Sequence, residues 1–270
     1  MGKLMNFTEI LSGTILIVSG LCVSSCVSNS SIKTVSEVSV DDYEARIFTS
    51  SQGDKIQYRL FIPRDYNPDT QYPLVLFHHG GGGTGNDNQR NLEGPCPLEW
   101  AGPERQAKNP CFIIAPQIPR DESRDRENGP PRTEVMKVHI KTIHEILDSL
   151  EEEFSIDTSR EYVTGLSMGG ERPHRFAAAV PICAGNKFIG MEPSELGRKF
   201  AQFPLWLFHG DMDDVISVEV SRRLVKSLRD AGGNPKYTEY PGVDHGSWEL
   251  AYRDPELIEW FFAQSRGKTP

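Results

Sequence analysis

The chain has 270 residues, with 29 Lys and Arg against 38 Asp and Glu and a formal net charge of −9. That length holds one large α/β domain or two small ones and can bury a full core. The acidic balance excludes a nucleic-acid binder, which needs a basic face for phosphates. The recurring apolar runs exclude a disordered chain, and five cysteines are too few for a disulfide scaffold.

Residues 1–25 read as a leader. Lys3 gives a weakly positive start, and the mostly apolar stretch 10–23 has the size of a signal-peptide core. It is short for a membrane span, which needs about 20 residues. The run Val23-Ser24-Ser25-Cys26 resembles a bacterial lipoprotein cleavage box. The resemblance implies cleavage before Cys26 and lipid on its thiol and new amine. A plain secretory leader or an uncleaved anchor is the alternative. The expectation is an exported lipoprotein facing the periplasm or the cell exterior, tethered through residues 26–40 and folded over 41–270. Cys96, Cys111 and Cys183 remain in that domain. Either Cys96 pairs with Cys111 in an oxidising compartment, or all three are buried thiols.

Strands are predicted at 43–49 and 56–62, around the turn Gln52-Gly53-Asp54. The apolar run 72–77 reads as a strand covered on both faces, followed by the glycine loop His79-Gly80-Gly81-Gly82-Gly83. A second buried strand spans 112–116, stopped by Pro116, and the charged segment 119–132 reads as a loop. Met136, Ile140, Ile143, Leu147 and Leu150 repeat at helical spacing, with Thr133 as N-cap. Strands follow at 161–165, 176–183 and 204–208, a helix at 218–231 ended by Gly232-Gly233, a strand at 237–240 and a closing helix at 255–264. Strands alternating with helices predict one domain with a mostly parallel sheet and helices on both faces.

Three stretches carry chemistry. Gly165-Leu166-Ser167-Met168-Gly169-Gly170 directly follows a predicted strand and matches the nucleophile-elbow pattern G-x-S-x-G. The turn is too tight for bulky neighbours and holds its serine above the sheet edge; the bland reading is a glycine turn with an inert serine. His209-Gly210-Asp211-Met212-Asp213-Asp214 ends the strand 204–208, where three aspartates compete for the role of acid. A calcium loop is a poor reading because Val215 occupies a ligand position and the glycine turn is missing. Asp244-His245-Gly246-Ser247-Trp248 follows the last strand, and of seven histidines only His245 is late, in a loop and beside a small residue. Serine, acid, histidine is the chain order expected of this triad type. The glycine loop supplies backbone donors for a developing oxyanion, from Gly81 or Gly82, with Met168 giving the second. Phosphate binding is disfavoured, because the loop lacks both phosphate-binding patterns.

These residues resemble the α/β-hydrolase superfamily, and within it secreted bacterial esterases of the polyhydroxybutyrate-depolymerase and feruloyl-esterase type. The resemblance is carried by Tyr58-Arg59-Leu60-Phe61-Ile62-Pro63, the strand and glycine loop at 72–82, the Ser167 and Asp213 motifs, and His245 with Ser247-Trp248, across roughly residues 43–263. It implies the α/β-hydrolase fold, Asp213 as the acid with Asp211 and Asp214 as fallbacks, and a Ser167–His245–Asp213 ester hydrolase acting through an acyl-enzyme. No metal or organic cofactor is implied. The expected partner is a small or polysaccharide-linked ester, with no nucleic acid, and membrane contact only through the lipid anchor. A serine peptidase of the same fold is the alternative. One departure stands out. The family places a full helix after the elbow, whereas residues 166–175 leave about ten for the crossover, at or below the usual minimum of roughly 10–12. Pro173 also bars a regular helix there. The expected consequence is a truncated helix and a displaced elbow, and at the limit a catalytically impaired surface lipoprotein. Substrate pockets are expected from loops 84–110, 118–132 and 184–203. Trp100 and Trp248 are placed either in an aromatic subsite or in the core.

Overall fold

A computed structural model describes residues 38–92, 94–120, 132–166, 175–184 and 192–267, all within the compact unit Val35–Pro270. Eight strands form one sheet: β1 Glu44–Thr49, β2 Lys55–Phe61, β3 Tyr72–His78, β4 Phe112–Gln117, β5 Ile156–Leu166, β6 Ala178–Ile182, β7 Trp206–Gly210 and β8 Lys236–Tyr240. Their order is β1-β2-β4-β3-β5-β6-β7-β8. β1 and β2 pair antiparallel, as do β2 and β4, and every later pairing is parallel. Every residue of β3, β4 and β7 is buried, as a sheet with two covered faces requires.

Alternate residues of these strands feed two cores, because successive side chains leave a strand on opposite faces. Val75, Phe77, Ile113 and Tyr162 pack on one side with Trp100, Leu257 and Phe261. Leu74, Leu76, Ile114 and Val163 pack on the other with Ile143, Leu147, Leu150 and Val225. The helices covering them are α1 Pro95–Trp100, α2 Pro103–Lys108, α3 Arg132–Glu153, α4 Pro193–Phe200, α5 Glu219–Asp230, α6 Trp248–Ala251 and α7 Pro255–Ala263.

Some local expectations change. β4 runs through Pro116 to Gln117. By Pro116 the β3 ladder has ended at Ile114 and only β2 still pairs, so the proline sits on what is locally an edge. α3 begins at Arg132, which puts Thr133 inside the helix rather than at its cap; helix ends slide by a residue or two from any sequence signal. α1, α2, α4 and α6 are too short to show periodicity. Cys96, Cys111 and Cys183 are buried free thiols, so the Cys96–Cys111 pairing is not formed. β5 and β6 are parallel neighbours, with Leu166 opposite Ile182. They are joined through residues 167–177, of which 167–174 lie outside the described residues, and no helix begins in 175–177.

Candidate active site

The strands that end in the predicted motifs, β3, β5, β7 and β8, run parallel, so their C-terminal ends share one edge of the sheet. In open α/β sheets ligands bind at that edge.

β5 delivers the chain to the serine motif. Gly165 pairs with His78 across the β3–β5 ladder. Its φ is +145°, and a Cβ there would lie 2.1 Å from the His78 carbonyl oxygen, so only glycine fits. The space where a Gly80 side chain would stand is filled by Leu166 Cδ1, 2.7 Å away. The glycine loop therefore packs against the last residue before Ser167. Ser167 and Met168, like Cys26, lie outside the described residues.

The glycine loop is a single 3-10 turn, Gly81–Gly83, with Gly81 exposed. N–H groups at the start of such a turn have no partner within it. Two side chains that sequence reasoning passed over hold the loop in place. His79 donates from Nδ1 to the Gly80 carbonyl (2.6 Å) while its Nε2 accepts from Ile118 N (2.9 Å). Gln117 Nε2 donates to the Gly83 carbonyl (3.0 Å) and to Asp87 (2.8 Å).

β7 and β8 lead to Asp213 and His245, the expected acid and base. Asp213 Oδ2 accepts from His245 Nδ1 at 2.7 Å, with the Asp213 side chain fully buried and that of His245 28% exposed. Asp213 Oδ1 accepts from the backbone N–H of Val215 (2.9 Å) and Ile216 (2.7 Å). Burial alone raises the Asp213 carboxyl. The hydrogen bond from His245, the two backbone donors and the His245 charge outweigh it and hold the group below the usual carboxylate range. With Nδ1 bound to the acid, the opposite ring nitrogen of His245 is the one left for chemistry. The ring stands edge-on to Trp248, with centroids 5.3 Å apart.

The competing aspartates have other positions. Asp211 braces the two loops together: its Oδ1 accepts from Gly242 N at 2.6 Å and its N–H donates to Tyr240 O at 3.1 Å. Met212 N adds a bond to Val243 O at 3.0 Å. Asp214 is exposed. Gly210 completes the join, because a Cβ there would lie 2.2 Å from Val243 O and 2.5 Å from Asp244 O. Trp100 belongs to the core, packed against Tyr252 and Phe261.

Comparison with known proteins agrees with the fold. Residues 49–172 match the family described as "Putative esterase", a match that ends two residues beyond Gly170. A solved structure of a thermostable esterase is 42% identical, with a TM-score of 0.71 over 84% of this chain and 64% of its own. A ferulic acid esterase from Anaeromyces mucronatus shares the fold at 19% identity, with a TM-score of 0.60 over 85% of this chain and 91% of its own. A bifunctional acetylxylan esterase/xylanase of Neocallimastix patriciarum is 30% identical over 86% of this chain. The chain has the α/β-hydrolase fold. It spans 33% of the length of the Neocallimastix protein, and slightly under two thirds of the thermostable esterase.

Two more residues of this α/β hydrolase reach the acid. His209, wholly buried at the end of β7, places Nε2 3.1 Å from Asp213 Oδ2. Cys183 follows β6 with φ +39°. Burial, then the Asp213 carboxylate, push its thiol up to about 12, with the Ser247 hydroxyl pulling the other way. Cys183, Asp213 and His245 each offer one metal-ligand atom, all within 4.8 Å. The 2.7 Å between Nδ1 and Oδ2 is a hydrogen-bond separation. Two ligands on one tetrahedral zinc would stand roughly 3.3 Å apart. The trio therefore fits a buried thiol beside an acid–histidine pair better than a metal centre.

Proposed function

We propose that this α/β hydrolase is a serine carboxylic-ester hydrolase in which Ser167 is the nucleophile, His245 the general base and Asp213 the orienting acid. The observation that carries the reading is the 2.7 Å Asp213–His245 hydrogen bond, built at the sheet edge where β5 ends at Leu166, the residue before Ser167. In the first step His245 Nε2 takes the Ser167 hydroxyl proton as Oγ bonds to the ester carbonyl carbon. The backbone N–H groups of Gly81 and Met168 receive the negative oxygen. The intermediate then collapses: the C–O bond to the alcohol breaks, and the alcohol leaves with the proton from His245. Water, deprotonated by the same imidazole, repeats the sequence on the acyl-enzyme and frees the acid and Ser167. Asp213 stays ionised throughout and fixes the His245 tautomer.

The relatives named for acetylxylan and ferulic acid esters support acyl groups on plant polysaccharide as the substrate class. The lipoprotein box at Cys26 supports an enzyme tethered outside the cytoplasm. A fluorophosphonate label tests the nucleophile. Labelling of the folded protein that is abolished by Ser167→Ala supports the reading, and a folded protein that takes no label overturns it. Turnover of acetyl, feruloyl and short acyl esters, with matching amides as the peptidase control, assigns the substrate class.

A further inference from the structure

We infer that His209 is a second histidine at the acid: a positioning residue whose Nε2–H donates to the Ile216 carbonyl and lies against Asp213 Oδ2, locked in one tautomer by Ser221 of α5. The inference rests on the Ser167–His245–Asp213 reading for its kinetic consequence, and on geometry alone for the arrangement itself.

The tautomer follows from what surrounds the ring. His209 Nε2 faces two acceptors, the Ile216 carbonyl at 2.8 Å and Asp213 Oδ2 at 3.1 Å. A lone pair there would be repelled by both, so Nε2 carries the hydrogen. Nδ1 lies 2.7 Å from the hydroxyl of Ser221, itself buried. In the neutral ring Nδ1 accepts and Ser221 Oγ–H donates. Asp213 takes three hydrogen bonds, two from backbone amides on Oδ1 and one from the His245 imidazole on Oδ2, and His209 Nε2 stands 3.1 Å from that same Oδ2. The amides fix one oxygen, and one of them belongs to Ile216, whose carbonyl His209 holds. The carboxylate plane cannot turn without breaking one of these bonds. The other titratable groups around the pair are few. Glu239 of β8 stands opposite His209 in the ladder, with its carboxylate bound to Arg222 and Tyr237. Cys183 faces Asp213 as an uncharged thiol.

The sign of the effect can be worked out. An N–H dipole 3.1 Å from Oδ2 disperses the negative charge that His245 feels. Removing it concentrates that charge, so the pair holds its proton to higher pH. The expected result for His209→Leu is an acid limb of the kcat/KM profile moved upward by about one pH unit. kcat at neutral pH falls about tenfold, and KM stays within about twofold. His209→Gln, which keeps an N–H donor, recovers most of the loss, and Ser221→Ala gives a smaller shift in the same direction. The same variants are followed by the strongly downfield Nδ1–H proton resonance of His245, which reports the pair without requiring turnover. It moves in His209→Leu and returns toward its original position in His209→Gln. A His209→Leu protein that melts as the parent does, with unchanged acid limb and resonance, overturns the inference. If the leucine variant does not fold, Ser221→Ala decides, and an unmoved resonance there overturns it equally. A parent protein that hydrolyses no ester condemns the esterase reading alone, and the resonance still tests His209.

Discussion

Gly210→Ala asks whether the acid and base loops are held together by backbone contact. A Cβ at Gly210 would stand 2.2 Å from Val243 O and 2.5 Å from Asp244 O. A relaxed carbon–oxygen contact is roughly 3.3 Å, so the two carbonyls must retreat by about 1 Å. They cannot retreat alone. The 242–243 turn is tied to the acid loop through Gly242 N–Asp211 Oδ1 and Met212 N–Val243 O, and His245 is the next residue after Asp244. The displacement reaches the His245 ring and stretches its 2.7 Å bond to Asp213 toward roughly 3.7 Å, outside hydrogen-bonding range. A 1 Å error in a catalytic group costs about 100-fold in rate, or about 2.7 kcal/mol of barrier. Overpacking costs a further 1–3 kcal/mol or so of stability. The assay is kcat/KM on an activated acyl ester, measured well below the variant's melting midpoint, with circular dichroism to establish folding. A folded Gly210→Ala protein with the parent's kcat/KM would refute the argument that this close approach sets the catalytic geometry.

Asp213→Asn should lower kcat by roughly 10³–10⁴-fold, because it leaves His245 in the wrong tautomer; Asp211→Asn and Asp214→Asn should each lose less than about tenfold, and stopped assays on the three variants rank them. Glu161, buried in β5, bonds Arg175, which also pairs with Asp148 and Glu151. Burial raises its carboxyl to about 7, with Arg175 opposing and Glu151 adding. Its folded-state value is above its unfolded one. The contribution to stability is therefore complete below about pH 4.5 and is lost as pH rises through 7, on the order of 3 kcal/mol. Urea midpoints between pH 5 and 8 should show that slope in the parent and not in Glu161→Gln; equal slopes refute the assignment. Cys96, Cys111 and Cys183 should resist alkylation in the native protein and react once it is unfolded in urea, read by peptide mass; rapid native labelling of any of them contradicts its burial. Processing of the leader should be blocked by globomycin and by Cys26→Ala, and processing indifferent to both refutes lipidation.

Much of this molecule was legible before any coordinates. β3, β4 and β7 are continuous apolar runs because both faces are covered, and that pattern is local. The G-x-S-x-G motif, the glycine loop and the late histidine stand out because tight turns need glycine and because the expected triad type has a fixed chain order. Other features depend on contacts between distant segments. Three aspartates within four residues are equivalent as letters. Asp213 is the one that meets His245, because the loop turns its side chain inward onto a histidine 32 positions away, while Asp211 is a brace and Asp214 faces solvent. His209 reads as one more strand-end histidine until burial aims it back at the carboxylate four residues on. The thiols of Cys96 and Cys111 could be paired or free on paper, and packing left them apart. Sequence by itself determined the motifs and the strand ends that carry them, because residue spacing encodes periodicity and turns. Only the tertiary structure decided which acid and which supporting groups meet, because those choices rest on burial and on hydrogen bonds between segments that spacing does not relate.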